Sequence, residues 1–205
     1  MLYYKTSDLS AQYFMRLILS SAKSINASYS DEAGAVQFKV YTPLRVHKLI
    51  TKIRRRLDDD IPQREQGGSD TEADDNGRFA LLATLSWHII GKMIIQFGGT
   101  EISPATFFRK EKVGALKWEY IFTARDGKEY RWYFRMYSST LKVNDDAATV
   151  VAEYKVSSVG VVSKPKRPAS LEIQPEFEYM ADEIMVTFIY LEKIRRSQVD
   201  PTQQL

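Results

Sequence analysis

Residues 184–191 constrain the fold most: they read Ile-Met-Val-Thr-Phe-Ile-Tyr-Leu, with a single polar member, Thr187. Glu176, Glu178, Asp182 and Glu183 precede the run, and Lys193, Arg195 and Arg196 follow it. Acids before and bases after are what a helix macrodipole favours, so the pattern predicts a helix over residues 179–196. Through its middle that helix is apolar on every face, and such a helix has to be enclosed. The apolar run falls well short of the ~20 residues that cross a bilayer. Protein must therefore surround it.

The rest of the chain supplies strands. Val36, Phe38 and Val40 alternate with Gln37, Lys39 and Tyr41, the period of two that marks half-buried strands. Phe79, Leu81, Ala83, Leu85 and Trp87 alternate with Ala80, Leu82, Thr84, Ser86 and His88, and Met93, Ile95 and Phe97 continue the pattern up to Gly98-Gly99. Further strands are predicted at residues 16–19, 46–56, 116–123, 129–135, 141–143, 150–155 and 170–173. That makes about ten, at the spacing of a sandwich or barrel. Ser103-Pro104 starts one short helical turn through Phe108, with serine as N-cap and proline at the first helical position.

One hairpin can be given a register. A two-residue Asp126-Gly127 turn would set Tyr120 against Tyr133 and Trp118 against Arg135. A three-residue loop of Arg125, Asp126 and a left-handed Gly127 instead pairs Phe122 with Tyr130, Tyr120 with Trp132 and Trp118 with Phe134. Matching apolar partners selects the second.

Composition narrows the chemistry. The chain has 205 residues and no cysteine, which excludes disulfides, thiolate nucleophiles and sulfur-based zinc sites. Only His47 and His88 are present, neither at ligand spacing, and no P-loop, Gly-x-Gly-x-x-Gly or Gly-x-Ser-x-Gly motif appears. No cofactor, metal or catalytic residue is expected. Residues 13–22 have a signal-like apolar character, but Arg16 interrupts them and Asp8 sits where a basic leader is required. They are read as the first strand of an intracellular protein, leaving Asn26-Ala27-Ser28 as an unused sequon.

The net charge of +3 is unevenly spread. Asp58, Asp59, Asp60, Glu65, Asp70, Glu72, Asp74 and Asp75 lie within residues 58–76 against one base, Arg64. The remainder is strongly basic. The acidic stretch also holds Gly67-Gly68-Ser69 and almost no aliphatic residues, so it is predicted to be a disordered insertion. It lacks the glycine and terminal glutamate spacing of a calcium-binding EF-hand loop. Residues 1–198 are read as one domain and 199–205 as a flexible tail.

The segments Ala-Thr-Leu-Ser-Trp-His (83–88), Phe-Thr-Ala-Arg-Asp-Gly-Lys-Glu-Tyr-Arg-Trp (122–132) and Arg-Pro-Ala-Ser-Leu-Glu-Ile (167–173), with residues 94–99 and 182–196, resemble a fungal family of small domains of unknown function. That family is similar to the tubby C-terminal-like superfamily, which also includes phospholipid scramblases and plant LURP-one-related proteins. The resemblance covers residues 79–196 and implies a mainly β fold: a closed antiparallel barrel of about 10–12 strands around a hydrophobic C-terminal helix. Tubby domains bind phosphoinositides through particular lysines and arginines, and scramblases carry a calcium-binding segment. Neither motif has a counterpart here, so lipid recognition is implied by fold analogy alone.

Three basic clusters are candidate contacts for an anionic ligand. Alternation places Lys48, Lys52, Arg54 and Arg56 on one strand face with Ile50, where each cation adds ~1 kcal/mol of attraction to an anionic membrane. The plainer reading is a solvated edge strand whose cations block strand pairing. Asp58, Asp59 and Asp60 follow directly, so the insertion is positioned to mask the strand. Lys164, Lys166 and Arg167 form a second cluster, and Arg109, Lys110 and Lys112 a third. The expected partner is an anionic membrane lipid met peripherally; the alternative is a protein that meets the acidic insertion or an edge strand. Trp118, Tyr120, Phe122, Tyr130, Trp132 and Phe134 have the composition of a base-stacking platform, but a fold with a core to fill buries such a face, and nucleic acid is not expected.

Overall fold

A computed structural model describes residues 14–43, 49–57, 78–87, 93–113, 117–135, 138–158 and 166–199. Among these residues thirteen strands form one antiparallel sheet. The first seven are β1 (Met15–Leu19), β2 (Ala27–Ser30), β3 (Val36–Tyr41), β4 (Leu49–Arg56), β5 (Phe79–Trp87), β6 (Ile94–Phe97) and β7 (Thr100–Ile102). A helical turn, α1 (Pro104–Phe107), then leads to β8 (Arg109–Val113), β9 (Lys117–Thr123), β10 (Glu129–Phe134), β11 (Ser138–Val143), β12 (Val150–Lys155) and β13 (Ser170–Ile173). A 3-10 turn (Pro175–Met180) runs into α2 (Ala181–Val199).

The sheet does not close, which corrects the expected barrel of about 10–12 strands. Its order runs from β7 back through β6, β5, β4, β3, β2 and β1, crosses to β13, and descends through β12, β11, β10 and β9 to β8. Among the described residues no ladder joins β7 to β8. The local sequence explains the break: β7 is three residues long, and Ser103-Pro104 then turns the chain into α1. Side chains fill the seam instead. Phe108 stacks on Tyr190 of α2 with centroids 5.1 Å apart, and Phe107 lies 5.6 Å from Phe122.

Three of the thirteen strands lacked an apolar alternation to announce them. β2 reads Ala-Ser-Tyr-Ser and β7 is minimal, while β8 reads Arg-Lys-Glu-Lys-Val. In β2 only Tyr29 carries a large apolar surface to the core, and its hydroxyl donates to the Ser24 carbonyl at 2.8 Å.

α2 lies inside the curl of the sheet. Ile184 through Glu192 are all buried, so every face of the helix is covered. Trp87 of β5 stacks on Tyr190 at 5.8 Å, whereas Trp132 of β10 and Tyr154 of β12 approach Phe188 at 5.9 and 4.7 Å. Thr187, the one polar residue in the run, donates to the Glu183 carbonyl at 2.8 Å and accepts from Trp132 Nε1 at 3.2 Å. A buried hydroxyl satisfied in both senses costs little.

The β9–β10 hairpin has the three-residue loop. Gly127 sits at φ +80°, and Ala124 N–H donates to the Lys128 carbonyl at 2.9 Å. Phe122 faces Tyr130 and Tyr120 faces Trp132. The third expected pair is not part of the ladder, which ends at Trp132, and Phe134 lies edge-on to Tyr120 at 5.8 Å.

Candidate anionic-ligand interface

β4 keeps its alternation along its described length. Thr51 and Ile53 point into the core, whereas Lys52, Arg54 and Arg56 face outward. The ladder with β3 sets Arg54 against Lys39 and Lys52 against Tyr41. The ladder with β5 contains a bulge: Ile53 faces Ala83 but Arg54 faces Leu81, so Leu82 is the extra residue. That insertion corrects the simple alternation of β5, because it turns Phe79 and Leu81 to the outer face. Leu81 is 58% exposed and Tyr41 50%.

The outer face of β3, β4 and β5 thus gathers Lys39, Lys52, Arg54 and Arg56 around Tyr41, Leu81 and Phe79. Lys39 Nζ lies 4.4 Å from the Phe79 ring centroid, a cation–π contact. None of the four cations is without an interaction partner. The three strands themselves contain no acidic residue.

Elsewhere the outer face is laced with ion pairs. On β8–β10, Arg109 makes a two-pronged contact with Glu129 at 2.7 and 3.1 Å, and Arg131 pairs with Glu111 at 2.9 Å and Glu119 at 2.8 Å. Asn144 links Arg131 to Glu129 at 2.9 and 2.7 Å. The Arg109 bridge, followed by Asn144, outweighs the slight burial and holds the Glu129 pKa below its ordinary value. On β1, β13 and β12, Glu172 accepts from Lys155 at 2.7 Å and lies 3.5 Å from Arg16.

Of the candidate residues, then, the fold brings together Lys52, Arg54 and Arg56. Lys48 and Lys164 lie outside the described residues, as do His47, His88 and the acidic insertion. Arg109 is spent on Glu129. Lys110 and Lys112 are exposed on edge strand β8, with Lys110 Nζ 5.5 Å from the Tyr120 ring. Lys166 and Arg167 are exposed on the other half of the sheet, where Arg167 forms an isolated bridge with Ser158. The sequence reading did not include Lys39, an isolated lysine whose place beside Arg54 depends on register.

Arg55 was also missed. It points to the inner rim, pairs with Asp182 in the first turn of α2, and lies 5.4 Å from the Phe38 ring. At the same end the Arg125 backbone N–H donates to Glu183 at 3.1 Å, and its guanidinium covers Phe97 at 4.3 Å. Burial raises the Glu183 pKa despite that N–H. These contacts fasten the helix; they do not open a binding site. Four of the six platform aromatics are closed off as well, since Trp132 is 0% exposed and Tyr120, Phe122 and Tyr130 are buried with it, whereas Phe134 is half-buried and Trp118 exposed. Among the described residues, no group of three or more histidines and carboxylates is placed to hold a metal.

Residues 22–197 match a family of unknown function, DUF6593. The chain belongs to the DUF6593 family. No curated protein and no solved structure gave a match. The DUF6593 match takes in the whole of β3, β4 and β5 and nearly all of α2, so the basic face and the enclosed helix both lie within the family region.

Proposed function

We propose that this protein is a non-catalytic binding module that docks peripherally on anionic phospholipid surfaces through the outer face of β3, β4 and β5. The observation that carries the reading is a convergence: Lys39, Lys52, Arg54 and Arg56 share one outer face with the exposed Tyr41 and Leu81, on three strands whose own sequences contain no acid. Four cations near an anionic leaflet supply on the order of 4 kcal/mol of attraction. Among the described residues no helix is long and apolar enough to cross a membrane, which suits attachment from one side. A tubby-like and fungal affinity, part of the same proposal and resting on the resemblance of residues 79–196, would extend the reading by analogy. A cytoplasmic location follows from the same proposal, because anionic lipids face that compartment.

The acidic insertion regulates this face in the proposal. It leaves β4 at Leu57 and returns at Arg78, and these two ends are joined by a 2.8 Å hydrogen bond beside Arg56 and Phe79. The chain therefore leaves and rejoins the sheet beside the basic face on either side of the segment whose sequence holds the eight acids. Co-sedimentation with vesicles of equimolar phosphatidylcholine and phosphatidylserine tests both parts. Binding should fall with added salt and with Lys52→Glu and Arg54→Glu together, and deleting residues 58–76 should raise it. Salt-independent binding that ignores the double substitution would overturn the outer face of β3, β4 and β5 as the lipid contact.

An extended protein strand added to the β8 edge is the second reading, favoured by the open sheet. The cations Arg109, Lys110 and Lys112 on that strand discourage strand addition, so it ranks below the first.

A further inference from the structure

Resting on the membrane reading above, we infer that the end of the β8–β9 hairpin is a second, apolar attachment point, which places Trp118 and Val113 in the lipid interface. Trp118 is 44% exposed and Val113 42%. Neither belongs to the core cluster, although Tyr120 and Phe122 on the same strand do. Register places Lys112 directly opposite Trp118, and Lys110 opposite Tyr120. The hairpin therefore continues past the enclosed core as a short two-stranded arm with an exposed tryptophan beside exposed lysines.

The chemistry of that arm selects its occupant. Tryptophan and lysine concentrate at the level of lipid headgroups, where an amphipathic ring sits between water and acyl chains and an ammonium meets phosphate. A protein partner that covered the same arm would leave Lys110 and Lys112 to be matched by acids, whereas an anionic leaflet supplies the complementary charge everywhere. The basic face of β3–β5 supplies long-range attraction that salt screens. The hairpin supplies contact that salt leaves in place.

Tryptophan fluorescence tests this on the intact chain. Of the three tryptophans, Trp87 and Trp132 are buried, so Trp118 dominates any response to a surface event. On titration with equimolar phosphatidylcholine–phosphatidylserine vesicles, the emission should shift to the blue and be quenched by brominated acyl chains. Trp118→Ser should abolish both responses. Trp118→Ser with Val113→Ser should weaken vesicle binding at high salt by about tenfold. The absence of native cysteine permits a second readout: Val113→Cys carrying an environment-sensitive dye should respond to vesicles, whereas Glu153→Cys on β12 should not.

The outcomes separate the two proposals. Binding without any Trp118 response overturns the hairpin inference and leaves the basic face standing. A Trp118 response that survives Lys52→Glu with Arg54→Glu supports the hairpin and removes the basic face. Self-association without lipid that Trp118→Ser abolishes identifies a second copy of the chain as the occupant, and overturns the inference.

Discussion

Arg195 grips the fully buried carboxylate of Glu192 with two parallel hydrogen bonds, Nε to Oε2 at 2.7 Å and Nη2 to Oε1 at 2.8 Å. Arg196 adds a third bond to Oε1 at 2.9 Å and reaches the Ala22 carbonyl at 2.6 Å. One acid thus orients two guanidiniums and ties the last turns of α2 to the chain between β1 and β2. Removing one member of a buried, hydrogen-bonded ion group costs more than the group contributes. Glu192→Ala should therefore lose about 3–5 kcal/mol in urea unfolding. Arg195→Met should lose less, because Arg196 still engages the carboxylate.

Gly127 offers a cleaner test of the hairpin. Its φ is +80°, and a Cβ there would meet nothing within 4 Å, so substitution probes backbone conformation alone. Gly127→Ala should cost about 1–2 kcal/mol. Gly127→Asn should cost less, since asparagine tolerates the left-handed region. Gly98, at φ +58°, adds a steric effect, because its Cβ would run into the guanidinium of Arg125 and displace it from Phe97. Gly98→Ala should therefore exceed Gly127→Ala in thermal unfolding, and a double-mutant cycle with Arg125→Ala should recover the difference.

The helix and the hairpin register were legible because each rests on a short, dense pattern. An all-round apolar run admits one environment, and the wrong loop length would have set aromatics against arginines. Closure of the sheet was not legible, because it depends on whether strands far apart in pairing order meet. Here a three-residue strand and Ser103-Pro104 kept them apart. β8 went unseen since Arg-Lys-Glu-Lys offers no apolar face to count. Likewise the outer positions of Phe79 and Leu81 follow from a bulge at Leu82, an irregularity that alternation cannot anticipate. The basic residues of β4 were readable as a face, but Lys39, Tyr41 and Leu81 joined it only through register.

Asp126 gives the hairpin a pH signature. Its Oδ2 accepts from Tyr130 at 2.6 Å and Tyr179 at 2.8 Å, and its Oδ1 accepts from the Lys128 N–H at 3.0 Å. Burial opposes ionisation, yet these donors outweigh it and hold the pKa below that of an ordinary aspartate. Between the lowered folded value and the ordinary unfolded value, the unfolded chain binds more protons, so stability rises with pH. The contribution is present above the ordinary value and is lost as pH falls through the folded one. The urea midpoint should accordingly drop below about pH 4, and Asp126→Asn should flatten that part of the profile.

Phe188 decides whether the apolar run is a core or an anchor. Its ring lies between Trp132 and Tyr154, 1% exposed. Phe188→Ala should cost about 3–5 kcal/mol by leaving a cavity among rigid rings. Phe188→Asp should not fold, because the rings around it offer no partner for a carboxylate and burying it alone is prohibitive. Far-UV circular dichroism and the yield of soluble protein distinguish the outcomes. A folded Phe188→Asp protein that merely left the membrane would show that the helix is not the axis of the sheet. Loss of folding in Phe188→Asp, with Phe188→Leu close to wild type, is the result that an enclosed helix requires.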